Sequence, residues 1–313
     1  MIFGQPYEGT DFAPSMLRKA GLHKVLTDLG WRVEDLQDLD FNSFNKSESA
    51  SITYNINDNN SDIHLNAKNS EYVGRGCRIL ASIVEQKANQ NKFPLILGGD
   101  HSIAMGSLAG ILRARPRTGV LWVDAHADLN TPATSRTGNM HGMPLGMLME
   151  GMGVNHKSIP GCEWLAEEGA PKLKSDSLVY IGLRDVDNEE KKVIKDLGIT
   201  AFTMFDIDKL GIGKVMEMAM QHLLKNDSDR PIHLSYDIDA ADPSIAPATG
   251  TSVIGGLNYR EAHYVAEATV ASGLLASADL VEFNPMLTNG LDAQKTAGFG
   301  MDILTSIMGK RII

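Results

Sequence analysis

The chain has 313 residues, of which 43% are hydrophobic and 30 are glycine, so it can bury a full core, and disorder is excluded for most of its length. A formal net charge of −10, with no Lys/Arg cluster longer than two residues, argues against nucleic acid and anionic membranes as partners and suits a small cationic substrate better. No apolar run approaches a membrane span, the first residues lack a signal-peptide pattern, and Cys77 and Cys162 stand far apart, so a cytoplasmic protein without disulfides or a thiolate zinc site is expected.

In chain order, Ala13 to Leu29 reads as a helix closed by Gly30, and Trp31–Val33 as a short strand. Phe41 to Asn69 is rich in Asn, Ser and Asp without helical or strand periodicity, and its stretch at about 42–69 reads as a mobile surface excursion. Beyond it apolar strands alternate with amphipathic helices. The strands are Phe93–Leu97, Val120–Val123, Leu178–Ile181, Thr200–Met204, His233–Tyr236 and Leu280–Phe283. The helices are Ser70 to Ala88, Ile103–Arg113, Glu189–Leu197, Lys214–Leu224 and Tyr259–Ser272, and the Met-rich stretch from Met140 to Met152 reads as helix core. This is the pattern of an α/β fold, a parallel sheet covered on both faces, in one domain spanning 1–313.

The residues that follow the strands carry the chemistry. Leu97 leads into Gly98-Gly99-Asp100-His101, Val123 into Asp124-Ala125-His126-Ala127-Asp128, Ile181 into Arg184-Asp185, and Tyr236 into Asp237-Ile238-Asp239. Glu282 interrupts the last apolar strand, where a carboxylate must face a cleft or a partner. In open α/β sheets ligands bind beyond the carboxyl ends of the strands, so these residues are expected to converge in one crevice. Asp124, His126 and Asp128, at i, i+2 and i+4, would share one side of an extended segment, and Asp237 and Asp239 repeat the spacing. Two imidazoles (His101, His126) and four carboxylates (Asp124, Asp128, Asp237, Asp239) form an oxygen-rich set without sulfur, which favours Mn(II) over structural zinc, and six ligands suggest two ions. Asp242 is left outside this set. His23, His64, His156, His222, His233 and His263 have no partners at ligand spacing and read as structural or solvated; spacing alone does not assign His141.

The stretch Trp122 to Pro132, followed by Thr137-Gly138-Asn139-Met140-His141-Gly142-Met143-Pro144, resembles the arginase branch of the ureohydrolases. So do Ile181 to Asp187, Asp237 to Pro243, Pro247 to Thr251 and Gly255 to Glu261, and the resemblance runs from about Gly4 to the C-terminus outside the polar excursion. It implies a three-layer α/β/α sandwich and hydrolysis of L-arginine to L-ornithine and urea by a hydroxide shared between two Mn(II). One ion would take His101, Asp124, Asp128 and Asp237, the other His126, Asp124, Asp237 and Asp239. By the same resemblance Glu282 and Thr251 would clamp the guanidinium, Asp128 would pass a proton to the leaving amine, and His141 would shuttle protons to bulk water. Asn130 and Thr137 would meet the α-carboxylate, and Asp187, with Asp185 and Glu190 nearby, the α-ammonium. Arg260 and Glu261 match positions used between subunits of a homotrimer. The family pattern also has a first strand ending about where Met1-Ile2-Phe3-Gly4 begins, so one strand is expected to be missing. An agmatinase or another guanidino hydrolase is the nearest alternative; a silent, ligand-binding relative is the alternative from another class.

Overall fold

The computed structural model describes residues 1, 3–39, 54–58 and 61–310. Its strands are β1 (Tyr54–Asp58), β2 (Ser61–Leu65), β3 (Leu95–Leu97), β4 (Gly119–Val123), β5 (Leu178–Leu183), β6 (Thr200–Thr203), β7 (Ile232–Asp237) and β8 (Leu275–Val281). Its α-helices are α1 (Phe12–Lys19), α2 (Leu22–Asp28), α3 (Ser70–Asn89), α4 (Ala104–Ala114), α5 (Pro144–Leu148), α6 (Asn188–Leu197), α7 (Met204–Leu210), α8 (Ile212–Leu224), α9 (Tyr259–Ala271) and α10 (Gly290–Ile307).

The near-continuous apolar runs become the centre of one sheet because a strand buried on both faces has no solvent side to be polar on. Six strands lie in the order β3-β8-β7-β4-β5-β6, and every pairing is parallel. Side chains of β4 alternate between two cores. Leu121 and Val123 pack with Leu17, Met216, Val265 and Ile303 on one face, whereas Val120 and Trp122 pack with Val84, Leu108 and Leu145 on the other. The result is the expected α/β/α sandwich. No helix among the described residues is long and apolar enough to cross a membrane.

Four local expectations are corrected. The helix expected from Ala13 to Leu29 is two helices, because Gly21 adopts φ 99°, a left-handed value that glycine takes without steric cost, and the chain turns there. The strand expected at Leu280–Phe283 starts earlier, at Leu275, and stops at Val281. Glu282 therefore lies just past the strand rather than inside it, at φ 64°, a conformation costly for a side chain of this kind. Trp31–Val33 forms no strand: Trp31 to Leu39 is irregular, tied by Glu34 to Lys87 and Lys92 and by Asp35 and Asp38 to Arg18. Within the polar excursion, Tyr54–Asp58 and Ser61–Leu65 pair antiparallel with Ile56 in register with Ile63, an alternation of apolar and polar residues that the surrounding Asn and Ser obscure. Residues 41–53, 59 and 60 of that excursion lie outside the described residues. Its end is anchored, since Asn66 N donates to Pro132 O at 2.8 Å and Lys68 N to Gly138 O at 2.7 Å.

Among the described residues β3 is the edge of the six-stranded sheet. A cavity of about 970 Å³ lies between it and the 31–39 segment, lined by Leu22, Leu26, Trp31, Leu80, Val84 and Leu97 among others. At the far end of β3 the chain start packs tightly: Asp100 N donates to Met1 O at 3.0 Å, and a side chain at Gly99 would collide with the Met1 backbone.

Candidate metal centre and active site

The carboxyl ends of β3, β4, β5, β7 and β8 carry the candidate residues to one place, and short local hydrogen bonds then aim them. After β4, Asp124 Oδ1 accepts from His126 N at 2.7 Å; after β7, Asp237 Oδ1 accepts from Asp239 N at 2.8 Å. Each bond closes a tight turn, so the side chains converge by turning, not by alternation along an extended segment as the spacing suggested. Asp128 completes the first turn at φ 50°. Beyond β3, Asp100 spends its carboxylate on Ser102 N (3.0 Å) and Gly4 N (3.1 Å), which leaves His101 facing inward.

Two groups of ligand atoms result. His101 Nδ1 lies 3.1 Å from an Oδ2 of each of Asp124, Asp128 and Asp237. His126 Nδ1 lies 3.4 Å from Asp124 Oδ1 and 3.2 Å from Asp239 Oδ2. Asp124 belongs to both groups, one oxygen facing each. His101 is 1% exposed, and its Nδ1 is buried with no hydrogen-bond partner. A donor atom set among carboxylate oxygens at that spacing fits a cation. Protons show the same demand: burial and the Asp124 charge push Asp128 up to about 6, and burial with the charges of Asp239 and Asp124 pushes Asp237 up as well. Burial opposes a charge on His101, yet the carboxylates of Asp124, Asp128 and Asp237 around its Nδ1 hold its pKa well above the ordinary histidine value. In a low-dielectric pocket, a site that holds protons this tightly is one where divalent cations can take their place.

Glu282 stands beside the first group, 1% exposed. Its Oε1 accepts from His101 N at 2.7 Å and lies 3.0 Å from His141 Nδ1, while its Oε2 is buried and unpartnered. Burial alone would lower the His141 pKa, but the Glu282 charge and hydrogen bond outweigh it and raise it to about 9. Thr251 Oγ1 donates to Asp239 Oδ2 at 3.0 Å, so its hydroxyl is directed at a carboxylate of the second group. Farther out, Asn130 Nδ2 donates to Asp187 Oδ2 at 3.0 Å, and Asp185 and Thr137 are exposed. Glu190, beside Asp187, also has a local task. Its two oxygens accept from Leu129 N (2.9 Å) and Asp187 N (3.0 Å), so it caps α6 and ties the Asp128 turn to that helix, and burial raises its pKa to about 7. Asp242 accepts from Ser244 N and Gly255 N, apart from both groups of ligand atoms.

The family model described as the Arginase family matches residues 2–309. The chain belongs to the arginase family. It is 42% identical over 308 residues to human "Arginase-2, mitochondrial", spanning 98% of this chain and 82% of that one, and 39% identical over 310 residues to a Glaciozyma antarctica arginase, spanning 99% and 86%. Among solved structures, the Bacillus caldovelox arginase matches with a TM-score of 0.86 at 38% identity, covering 100% of this chain and 97% of that one. The Entamoeba histolytica arginase, solved in complex with L-ornithine, matches with a TM-score of 0.79 at 28% identity, covering 98% and 94%. The chain is thus an arginase-type hydrolase with a His/Asp cluster able to bind metal.

Three residues beside these groups were given no role by the sequence. Trp122 Nε1 donates to Asp124 Oδ2 at 2.9 Å, and its ring stacks on His101 with centroids 4.0 Å apart. Its place two residues before Asp124 in a strand was the available signal, since i and i+2 share a face. Arg184 donates to the backbone carbonyls of Asp239 (2.6 Å), Ala240 (3.2 Å) and Val253 (2.8 Å), pinning the turn that carries Asp239. Ser235 Oγ lies 2.9 Å from His101 Nε2; a serine inside an apolar run was the signal there.

Proposed function

We propose that the chain hydrolyses L-arginine to L-ornithine and urea with two Mn(II) ions held by His101, Asp124, Asp128, Asp237, His126 and Asp239. The observation that carries this is Asp124, whose two oxygens face two separate histidine nitrogens in a pocket of oxygen donors. Such a donor set suits Mn(II), and its four carboxylates balance two dications, so a cationic guanidinium is not repelled. When bound, the metal pair supplies a nucleophile at neutral pH by lowering the pKa of a water that it holds.

The protein's own groups do the rest. Glu282 Oε2, the buried oxygen without a partner, accepts from the guanidinium and orients it, a charge-assisted hydrogen bond in a dry pocket. Asp128 passes a proton to the departing amine. His141, partly exposed and paired with Glu282, exchanges protons with bulk water. Asn130 and Thr137 meet the α-carboxylate and Asp187, with Asp185 beside it, the α-ammonium. Glu190 acts on this end through the loop that it holds.

The arginases found among relatives and solved structures do not favour the agmatinase alternative. Urea release by Mn-loaded protein from arginine and from agmatine, which lacks the α-carboxylate, tests this directly, and a preference for agmatine would refute it. Asp187→Ala should raise KM for arginine about tenfold or more with kcat little changed, the cost of one charge-assisted hydrogen bond. A guanidino acid without the α-amine should be hydrolysed equally well by both proteins.

A homotrimer is the proposed assembly, with Arg260, exposed on α9, at the contact. Glu261, next to it, is the other proposed contact residue, and its carboxylate also accepts from Asn258 N at 2.9 Å to cap its own helix. Sedimentation velocity at micromolar concentration should show a species of three times the 33.9 kDa chain, and Arg260→Ala should shift it toward smaller ones. A wild-type protein that sediments only as monomer would contradict the trimer.

A further inference from the structure

A strand at the centre of a parallel sheet is expected to be apolar on both faces, yet one side of the β7–β8 ladder carries a column of buried polar side chains. His233 registers with Ser277 and Ser235 with Asp279, and all four are 0% exposed. Neither Asp279 nor His233 touches the ligand carboxylates or Glu282 through any hydrogen bond of the structure, so the reaction itself leaves them without a task. A buried carboxylate in such a place is costly unless it is fully bonded.

Asp279 is fully bonded, and by donors alone. Ser235 Oγ donates to its Oδ1 at 2.6 Å, Ser107 Oγ, from α4, donates to its Oδ2 at 2.8 Å, and His233 Nε2 lies 3.1 Å from the same Oδ2. An ionised carboxylate only accepts, so the Ser235 proton points to Asp279. The Ser235 oxygen is left to accept from its other neighbour, His101 Nε2, at 2.9 Å. A proton on Nε2 leaves the lone pair of His101 on Nδ1, the unpartnered atom that faces Asp124, Asp128 and Asp237. His233 is itself held by Ser277 Oγ at 2.8 Å from Nδ1, which fixes the far end of the column.

We propose that Asp279, locked by His233 and Ser107, is a positioning residue that acts through Ser235 to hold His101 in its Nε2-protonated form and so readies Nδ1 for the first metal ion. The inference rests on the metal-binding reading above. The logic of the column also says what Asp279→Asn would do: an amide N–H toward Ser235 turns the hydroxyl round to donate to His101 Nε2, and the imidazole proton is then driven to Nδ1, where the metal should bind. Outer partners of metal-ligating histidines typically contribute about ten- to hundredfold in affinity.

The test is Mn(II) binding to the full chain, followed by the electron paramagnetic resonance signal of free Mn(II), for wild type, Asp279→Asn, Ser235→Ala and the double variant. The wild type should bind two ions. Each single variant should weaken one of them by about ten- to hundredfold, with the other ion little affected, and the double variant should be no worse than either single one because both break the same relay. Arginine hydrolysis by Asp279→Asn should recover at excess Mn(II) with KM near the wild-type value. Unchanged affinity in Asp279→Asn would overturn the inference. So would losses that add in the double variant together with a lowered melting temperature of the metal-free variants, which is the mark of a packing role. If Asp279→Asn does not fold, Ser235→Ala decides alone, and wild-type affinity for both ions in that variant overturns the inference. A wild type that binds no Mn(II) would instead refute the metal reading, and this inference with it.

Discussion

Asp124→Asn is expected to abolish arginine hydrolysis, with kcat/KM falling by at least about a thousandfold, or about 4 kcal/mol of transition-state stabilisation. The size follows from position. Asp124 is the one carboxylate whose oxygens face both His101 (3.1 Å) and His126 (3.4 Å), and it also accepts from Trp122 Nε1 and His126 N. An amide of the same shape keeps the packing, but half of its polar edge becomes a donor that cannot face a cation. Both groups are therefore damaged by one substitution, whereas Asp239→Asn should strike only the His126 group. The check is urea release alongside metal content after dialysis against Mn(II) and a circular dichroism spectrum. A folded Asp124→Asn protein that keeps two ions and wild-type turnover would contradict the dinuclear reading.

Glu282→Gln is expected to cost about a hundredfold to a thousandfold in kcat/KM for arginine, or about 3–4 kcal/mol, while leaving metal content intact. Its Oε1 is already committed to His101 N and His141 Nδ1, so the loss falls on Oε2, the buried oxygen free to take the guanidinium. The same substitution should change a pH dependence that can be read without substrate. The Glu282 charge holds the His141 pKa at about 9 against the opposing effect of burial, compared with its ordinary 6.5. Because the folded state holds that proton more tightly than the unfolded chain, the pair stabilises the metal-free protein fully below pH 6.5 and loses this contribution as pH rises through about 9. Its size is on the order of 2–3 kcal/mol. Denaturation of metal-free wild type at pH 6 and pH 9.5 should show the loss, and Glu282→Gln should flatten it. An identical slope in both proteins would remove Glu282 as its cause.

The residues at the strand ends show how far the sequence could be read. His101, Asp124, His126, Asp128, Asp237 and Asp239 were legible because each follows an apolar run, and a parallel sheet delivers all of its strand ends to one edge. Their number and chemistry pointed to cations before any coordinate was known. How they converge was not legible, because it depends on turns closed by Asp124 and Asp237 on their own backbone and on a left-handed Asp128, and these are settled by what packs around them. Glu190 shows a task that spacing alone could not reveal. In sequence it is one more acid near the substrate end; in space its two oxygens also accept from Leu129 N and Asp187 N, which holds the Asp128 loop to α6.

The sequence by itself determined the layer order and pointed to the candidate ligand side chains, since these follow from periodicity, spacing and residue type, all of which are local, and its motifs carried the family resemblance. The tertiary structure decided how those side chains stand to one another, with Asp124 facing both histidines. It also decided that Glu282 keeps one oxygen free, and that His233 and Asp279, 46 residues apart, meet beneath His101. The last is a fact of register, and the pairing of β7 with β8 that creates it is set by the burial of both faces of the sheet, which no stretch of sequence carries alone.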